Sequence, residues 1–147
     1  MLALTRKTGY ALIALTHLAE LDEGELSPAR EVAVRYDAPR ALMMNVLKDL
    51  AAAGYVESVR GAHGGYRLAR PLEEVTLADL VSAIEGPVQL AECVGQVGAR
   101  SDKGSCRVRA TCPIVDPIHR VHRRLREFLG RITLAEIVHP AMVPGGS

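Results

Sequence analysis

The chain has no tryptophan, one phenylalanine and four tyrosines in 147 residues. A core so poor in aromatic rings must be filled by Leu, Val, Ile and Ala, which favours packed helices. No apolar run is long enough to cross a bilayer, and Met1–Lys7 carries neither a long apolar stretch nor a cleavage site. The expectation is therefore a soluble, cytoplasmic protein with no membrane partner. Excess charge is missing too: at a net +1, overall charge gives no reason to expect nucleic acid, and any such reason must come from where the arginines stand. Cysteine is sparse and odd in number, at three, which disfavours a disulfide framework and fits a reducing compartment. No nucleophile–base pairing is visible and no phosphate loop appears outside one glycine-rich run, so an enzyme is not expected. There is no internal repeat, and the length suits one compact core with an appendage.

What is present is organised around residues 39–68. An apolar-periodic helix pattern stops at Gly54, and two short runs rich in Val and Tyr then flank a tip, Arg60-Gly61-Ala62-His63-Gly64-Gly65. That is the signature of a β-hairpin with cationic shoulders at Arg60 and Arg67. A helix, a glycine stop and such a hairpin read as a winged helix-turn-helix, which puts a helix in the major groove and a hairpin beside or in the minor groove. The fold class expected is mainly α with a small β-hairpin wing and a long C-terminal dimerisation helix.

Ahead of this unit, Leu4–Leu21 reads as a first helix with Tyr10, Ile13, Ala14, His17, Leu18 and Leu21 on its apolar stripe. His17 is expected to be a half-buried histidine with a satisfied ring nitrogen. Ser27-Pro28 opens a second helix, with Ser27 as N-cap and Pro28 in the first turn, and Asp37-Ala38 makes a tight turn. Pro39 then begins the third helix, again as a first-turn proline. Its inward face is Leu42, Val46, Leu47 and Leu50, with Arg40, Met44, Asn45 and Lys48 outward; Met43 and Met44 read as gap-filling core. The glycines at 61, 64 and 65 would let the backbone approach phosphates, with Arg60 and His63 bracketing the tip. Ser27 joins the candidate DNA contacts.

After Pro71, Thr76-Leu77-Ala78-Asp79 resembles a capping box that starts a fourth helix, stopped by Gly86-Pro87. Residues 88–112 show no sustained periodicity and read as a long loop. From Ile114 the pattern changes: Ile114, Ile118, Val121, Leu125, Phe128 and Ile132 alternate steps of four and three, a coiled-coil-like seam. One such helix cannot bury its stripe alone and would do so against a second copy. Thr133 caps a last short helix. The chain thus divides into 1–86 (DNA-binding unit), 87–113 (cysteine-bearing sensor loop), 114–139 (dimerisation helix and short terminal helix) and 140–147 (flexible tail).

Cys93, Cys106 and Cys112 are separated by twelve and then five residues within that loop. Three thiols beside a dimer helix can converge on a soft metal, and thiolates select zinc, copper(I) or iron–sulfur clusters. The spacing lacks the paired C-x-x-C of a zinc ribbon, which makes structural zinc the weaker candidate. Arg100, Lys103, Arg107 and Arg109 would lower the thiol pKa values and balance a cluster's charge.

The opening Leu4-Thr5-Arg6-Lys7-Thr8-Gly9-Tyr10-Ala11-Leu12, the segment Ser58–Leu68 and Ile132-Thr133-Leu134-Ala135-Glu136 resemble the Rrf-two family of bacterial winged-helix transcription factors, typified by IscR, NsrR and RirA. The resemblance spans Leu2 to about Val138. It implies a homodimer on a pseudo-palindromic double-stranded operator, with a dimerisation helix from about Asp116 to Gly130. It further implies that Arg60 is the wing's minor-groove arginine and that Pro39, Arg40, Ala41, Leu42, Met44 and Asn45 face the major groove. The three cysteines would be iron–sulfur ligands, for a 2Fe–2S or 4Fe–4S cluster that purified protein need not retain. The chain departs from the family where some relatives place a fourth ligand, a His at the position of Val115 or an acidic residue at that of Gly9. Asp116 and His119 are the nearest local substitutes, and Asp116 also stands where an N-cap belongs. The expected function is a DNA-binding regulator, a repressor, whose operator affinity follows cluster state and so senses redox, nitric oxide or iron. The alternatives are the same regulator switching by thiol oxidation or a small ligand, and an adaptor that binds protein rather than DNA.

Overall fold

The computed structural model describes residues 4–90 and 107–138. Among the described residues, six α-helices and one hairpin run in the order α1 (Arg6–Ala19), α2 (Ala29–Arg35), α3 (Arg40–Ala52), β1 (Val56–Val59), β2 (Gly65–Leu68), a 3₁₀ turn at Leu72–Glu74, α4 (Leu77–Glu85), α5 (Val115–Arg131) and α6 (Leu134–Val138). The strands pair antiparallel, with Val56 opposite Leu68 and Val59 opposite Gly65. This is the mainly helical, hairpin-bearing fold that the sequence predicts.

Both helices of the helix-turn-helix end the same way. At the end of α3 the Tyr55 N–H donates to Leu50 O and the Gly54 N–H to Ala51 O, with Gly54 at φ +82°. At the end of α2 the Ala38 N–H donates to Ala33 O and the Asp37 N–H to Val34 O, with Asp37 at φ +50°. Each is a Schellman closure, which satisfies the last carbonyls and turns the chain sharply. Glycine suits the left-handed position at the first of these, and aspartate is among the few other residues that tolerate it. The helix starts differ from expectation by one residue. Pro28 and Pro39 are the N-caps of α2 and α3, and neither helix has a side-chain cap. Thr76 and Asp79 do form the predicted capping box on α4, and Gly86 at φ +86° ends that helix.

The core joins Ala11, Ala14, Leu15 and Leu18 of α1 to Val32 of α2, Met43, Val46, Leu47 and Leu50 of α3, Val56 of β1, and Leu80 and Ile84 of α4. On α1 the buried set is Thr8, Ala11, Ala14, Leu15, His17 and Leu18, whereas Tyr10, Ile13 and Leu21 are only partly covered. The expected stripe is displaced because α1 packs against α3, α4, β2 and α6 together and is covered over more than one face. On α3 the two methionines separate: Met43 is fully buried, and Met44 is on the surface. Leu42, expected inward by periodicity, is half-buried at the edge of the core.

Three polar ties brace α1. The Thr5 and Thr8 hydroxyls donate to the Glu85 carboxylate at the end of α4, the Thr8 bond at 2.7 Å. These bonds hold the Glu85 carboxyl below its ordinary range. Lys7 reaches Asp49 of α3 at 2.6 Å.

The C-terminal helix belongs to this core. Leu134 is 0% exposed within it, the Leu77 N–H donates to Ile132 O, and the Leu134 N–H donates to Val75 O. Residues 132–138 are therefore stitched to the helical core around Val75 and Leu77 rather than extending the α5 arm. Replacing Leu134 with Ala should cost about 2–5 kcal/mol of unfolding free energy, the usual range for emptying a buried leucine site. Urea denaturation checks this, and a change near zero would mean that α6 docks only weakly.

Candidate nucleic-acid interface and cysteine site

At about 100° per residue, Arg40, Met44, Lys48, Ala41 and Asn45 fall within an arc of roughly 140° on α3, opposite the buried face. All five are exposed, and Met44 is 38% exposed. Among the described residues neither Arg40 nor Lys48 is paired with a carboxylate, while Asp49, at the edge, is tied to Lys7. Pro39 is exposed at the start of the helix. An open cleft of about 640 Å³ lies where α2 meets the start of α3, lined by Arg30, Val34, Arg35, Asp37 and Arg40 among others. Arg30 and the largely exposed Val34 were not foreseen as part of this surface. Their spacing of four on one short helix was the available signal.

The hairpin tip presents Arg60 and His63 to solvent. Arg67, the other expected shoulder, is engaged across the strands by Glu57 at 2.8 Å, which leaves Arg60 as the wing arginine without a carboxylate among the described residues. The glycines have internal reasons. Gly61 sits at φ +129°, and a Cβ at Gly64 would lie 2.2 Å from Val59 O. At Gly65 a Cβ would come within 2.7–2.9 Å of the Ser27 and Pro28 backbone. Tight closure of the tip and seating of the wing on the helices account for Gly64 and Gly65 without an approach to phosphate.

Ser27 corrects two expectations at once. It is 1% exposed, and its hydroxyl lies 2.9 Å from His17 Nε2 and 3.4 Å from a Glu31 carboxylate oxygen, so it neither caps α2 nor offers a side chain to DNA. Its backbone instead pairs with Tyr66 of β2. His17, expected half-buried, is buried outright, with one ring nitrogen satisfied as expected and Nδ1 without a partner, and the Tyr36 ring packs edge-on against it at 5.7 Å.

α5 is two-edged. Val115, Ile118, Leu125, Leu129 and Ile132 are half-buried and His122 is buried, forming a stripe that faces α4. Ile114, Val121 and Phe128, spaced by seven, are 59%, 52% and 61% exposed. The seam expected as one surface is thus divided, with Ile118 and Leu125 on the inner edge. Cys112 is half-buried in the turn before α5, and Asp116 and His119 are exposed in the first turns of that helix. Asp116 is inside the helix rather than at its N-cap, which is Ile114. Cys93 and Cys106 lie outside the described residues, as does the tail expected at 140–147. The donor types suit an iron–sulfur cluster: thiolates are soft and anionic, and a carboxylate or an imidazole can complete such a ligand set.

Two buried histidines give the fold a pH dependence. Burial, and secondarily Arg35, push the His17 pKa below the ordinary value; Glu20 and Glu31 oppose them. An unfolded chain, titrating near 6.5, then takes up the proton first. Stability held above about pH 6.5 should therefore fall as the pH drops towards the lower folded value. His122 is shifted the same way, chiefly by burial. Urea midpoints between pH 7.5 and 5.5, on the order of the window these shifts define, should fall, and His17→Gln should flatten the slope without abolishing it.

A protein-family model described as Rrf2, an iron-dependent transcriptional regulator, matches residues 4–140. Among solved structures, CymR, titled the global cysteine regulator of B. subtilis, superposes with a TM-score of 0.65 at 24% identity, covering 94% of this chain and 97% of that one. A transcriptional regulator from Listeria innocua gives 0.69 at 24% identity, covering 99% of this chain and 94% of its own. T. potens IscR gives 0.62 at 24% identity, with the same coverage. At these identities the likeness to the solved structures speaks for the fold.

Proposed function

The chain belongs to the Rrf2 family of transcriptional regulators, which are not enzymes, and on that footing we propose that it is a cytoplasmic, homodimeric repressor whose grip on a palindromic operator is set by an iron–sulfur cluster. The observation that carries the DNA-binding part is the exposed α3 face with its unpaired Arg40 and Lys48, beside a wing whose Arg60 is free of carboxylates among the described residues. Lys48 suits a phosphate and Arg60 a narrow minor groove, whose negative potential attracts an inserted cation. Homodimerisation is supported by Ile114, Val121 and Phe128, which one subunit leaves in water. Two subunits joined along this edge would present paired α3 helices, and successive major-groove faces lie about 34 Å apart, so a small error in spacing weakens both halves together.

Cys93, Cys106 and Cys112, with Asp116 or His119, are the residues that would hold the cluster. When bound, it supplies iron that is sensitive to oxidants, nitric oxide and iron supply. Cys112 stands three residues before Val115, the start of α5. Whatever fixes the loop therefore also fixes the end of the helix that spaces the two reading heads. The exposed Asp116 carboxylate sits at the positive end of α5, where a negative charge is favoured.

Two measurements test this reading. Arg60→Ala should weaken binding to promoter DNA and lower the slope of log affinity against log salt by about one, the contribution of one phosphate-region cation. An unchanged curve removes the wing from the interface. Protein prepared without oxygen should be coloured and contain iron, and replacing Cys112 with Ala should bleach it. A colourless protein with one zinc per chain would defeat the cluster. A metal-free protein that loses titratable thiols on peroxide treatment would move the switch to thiol oxidation.

A further inference from the structure

The reading face of α3 is unusual in what stands at its centre. Arg40 and Asn45 mark the two edges of the exposed arc, and between them lie Met44, Lys48 and Ala41. Two of those three central side chains are apolar: Ala41 has no hydrogen-bonding group, and Met44 has only a weakly accepting thioether. Met44 is exposed because its neighbour Met43 fills the core, so its thioether is available to a ligand rather than to packing. Ala41 is in the first turn of a helix that starts at Arg40, the part of a recognition helix that meets base edges. Its single methyl lets the backbone come close to the groove floor.

Apolar groups in a major groove have one base-specific partner, the C5 methyl of thymine. Asn45 has the complementary preference, since its amide can bond adenine N6 and N7 together. Ala41 and Asn45 are four residues apart and so are neighbours on the helix surface, about 5–6 Å between Cβ atoms. They would therefore address the same or adjacent base pairs.

Resting on the DNA-binding reading above, we infer that α3 selects its half-site through thymine methyls, packed against Ala41 and Met44, next to an adenine held by Asn45. The operator is then read by shape and methyl contact at its centre. Arg40 and Lys48 supply attraction to the phosphates. Met44, unbranched and polarizable, adapts to more than one methyl position, which gives a tolerant preference at its own base pair and a stricter one at Asn45. Burying one methyl group contributes enough to change affinity about fourfold.

The test is selection of bound duplexes from a random-sequence DNA pool by the full chain. Each thymine of the enriched site is then replaced by deoxyuridine, which deletes only the C5 methyl and leaves the protein untouched. The expected half-site has thymine and adenine at neighbouring positions, and deoxyuridine at the thymine facing Ala41 or Met44 weakens binding about fourfold. Met44→Ala should erase that loss at its own thymine, and Asn45→Ala should relax the adenine preference by about fivefold or more. A half-site built on G·C pairs, or one whose thymines all tolerate deoxyuridine, overturns the methyl readout while leaving sequence-specific binding intact. A pool with no enriched sequence overturns both.

Discussion

Two backbone hydrogen bonds decide where the hairpin sits. Ser27 N–H donates to Tyr66 O at 3.0 Å, and Tyr66 N–H donates to Ser27 O at 2.9 Å, so the segment before α2 acts as a one-residue third strand of the wing. The contact is close enough to exclude any side chain at position 65, which is why Gly65 stands there. A two-stranded hairpin alone is marginal in water, and this edge pairing joins it to a packed helical core. The distance between Arg60 and the outer face of α3 is therefore a property of the core. The same residue turns its hydroxyl inward to His17, so one buried serine ties α1, α2 and the wing together.

α3 is held by an equally economical arrangement. Met43, Val46, Leu47 and Leu50 bury one face against the rest of the core, and the opposite face is freed by the same periodicity. Schellman closures at both α2 and α3 set the angle between these helices and the exit into β1. Local backbone chemistry thus sets the bends at the helix ends, while core packing sets which face of α3 looks outward. Lys7 and Asp49 add a tie between α1 and α3, although a partly exposed ion pair of this kind contributes at most about 1 kcal/mol.

α5 carries a different logic. Its inner edge packs on α4, and its outer edge carries isolated large apolar groups at every seventh position. Both edges come from one stretch of sequence, and a wheel diagram merges them into a single broad stripe. The return of the chain at Ile132 to Leu134, paired with Val75 and Leu77, anchors the far end of α5 in the core. A displacement at the Cys112 end would then pivot α5 about a fixed C-terminal point.

Much of this was legible from residue order. Gly54, Gly86 and the Thr76–Asp79 box mark helix ends because they act through backbone conformation within a few residues. The hairpin followed from Val, Tyr and Gly spacing, and the Arg60 tip with it. What local pattern could not assign was the choice between near-equivalent neighbours. Met43 and Met44 differ only in which way α3 is rotated, and the stripe on α1 depends on how many elements surround it. Ser27 looked like a cap because Ser-Pro before a helix usually is one, but a buried histidine on α1 and a strand 39 positions later claim it instead. Gly64 and Gly65 were read for backbone approach to phosphate, and the fold gives each a second reason, since a Cβ at either would meet neighbouring backbone. Residue order sufficed for the succession of elements, for the helix stops at Gly54 and Gly86 and for the charge at the wing tip, since those depend on short-range sterics and periodicity. Which face of each element meets water came instead from packing, because burial is settled by the neighbours that the fold brings together.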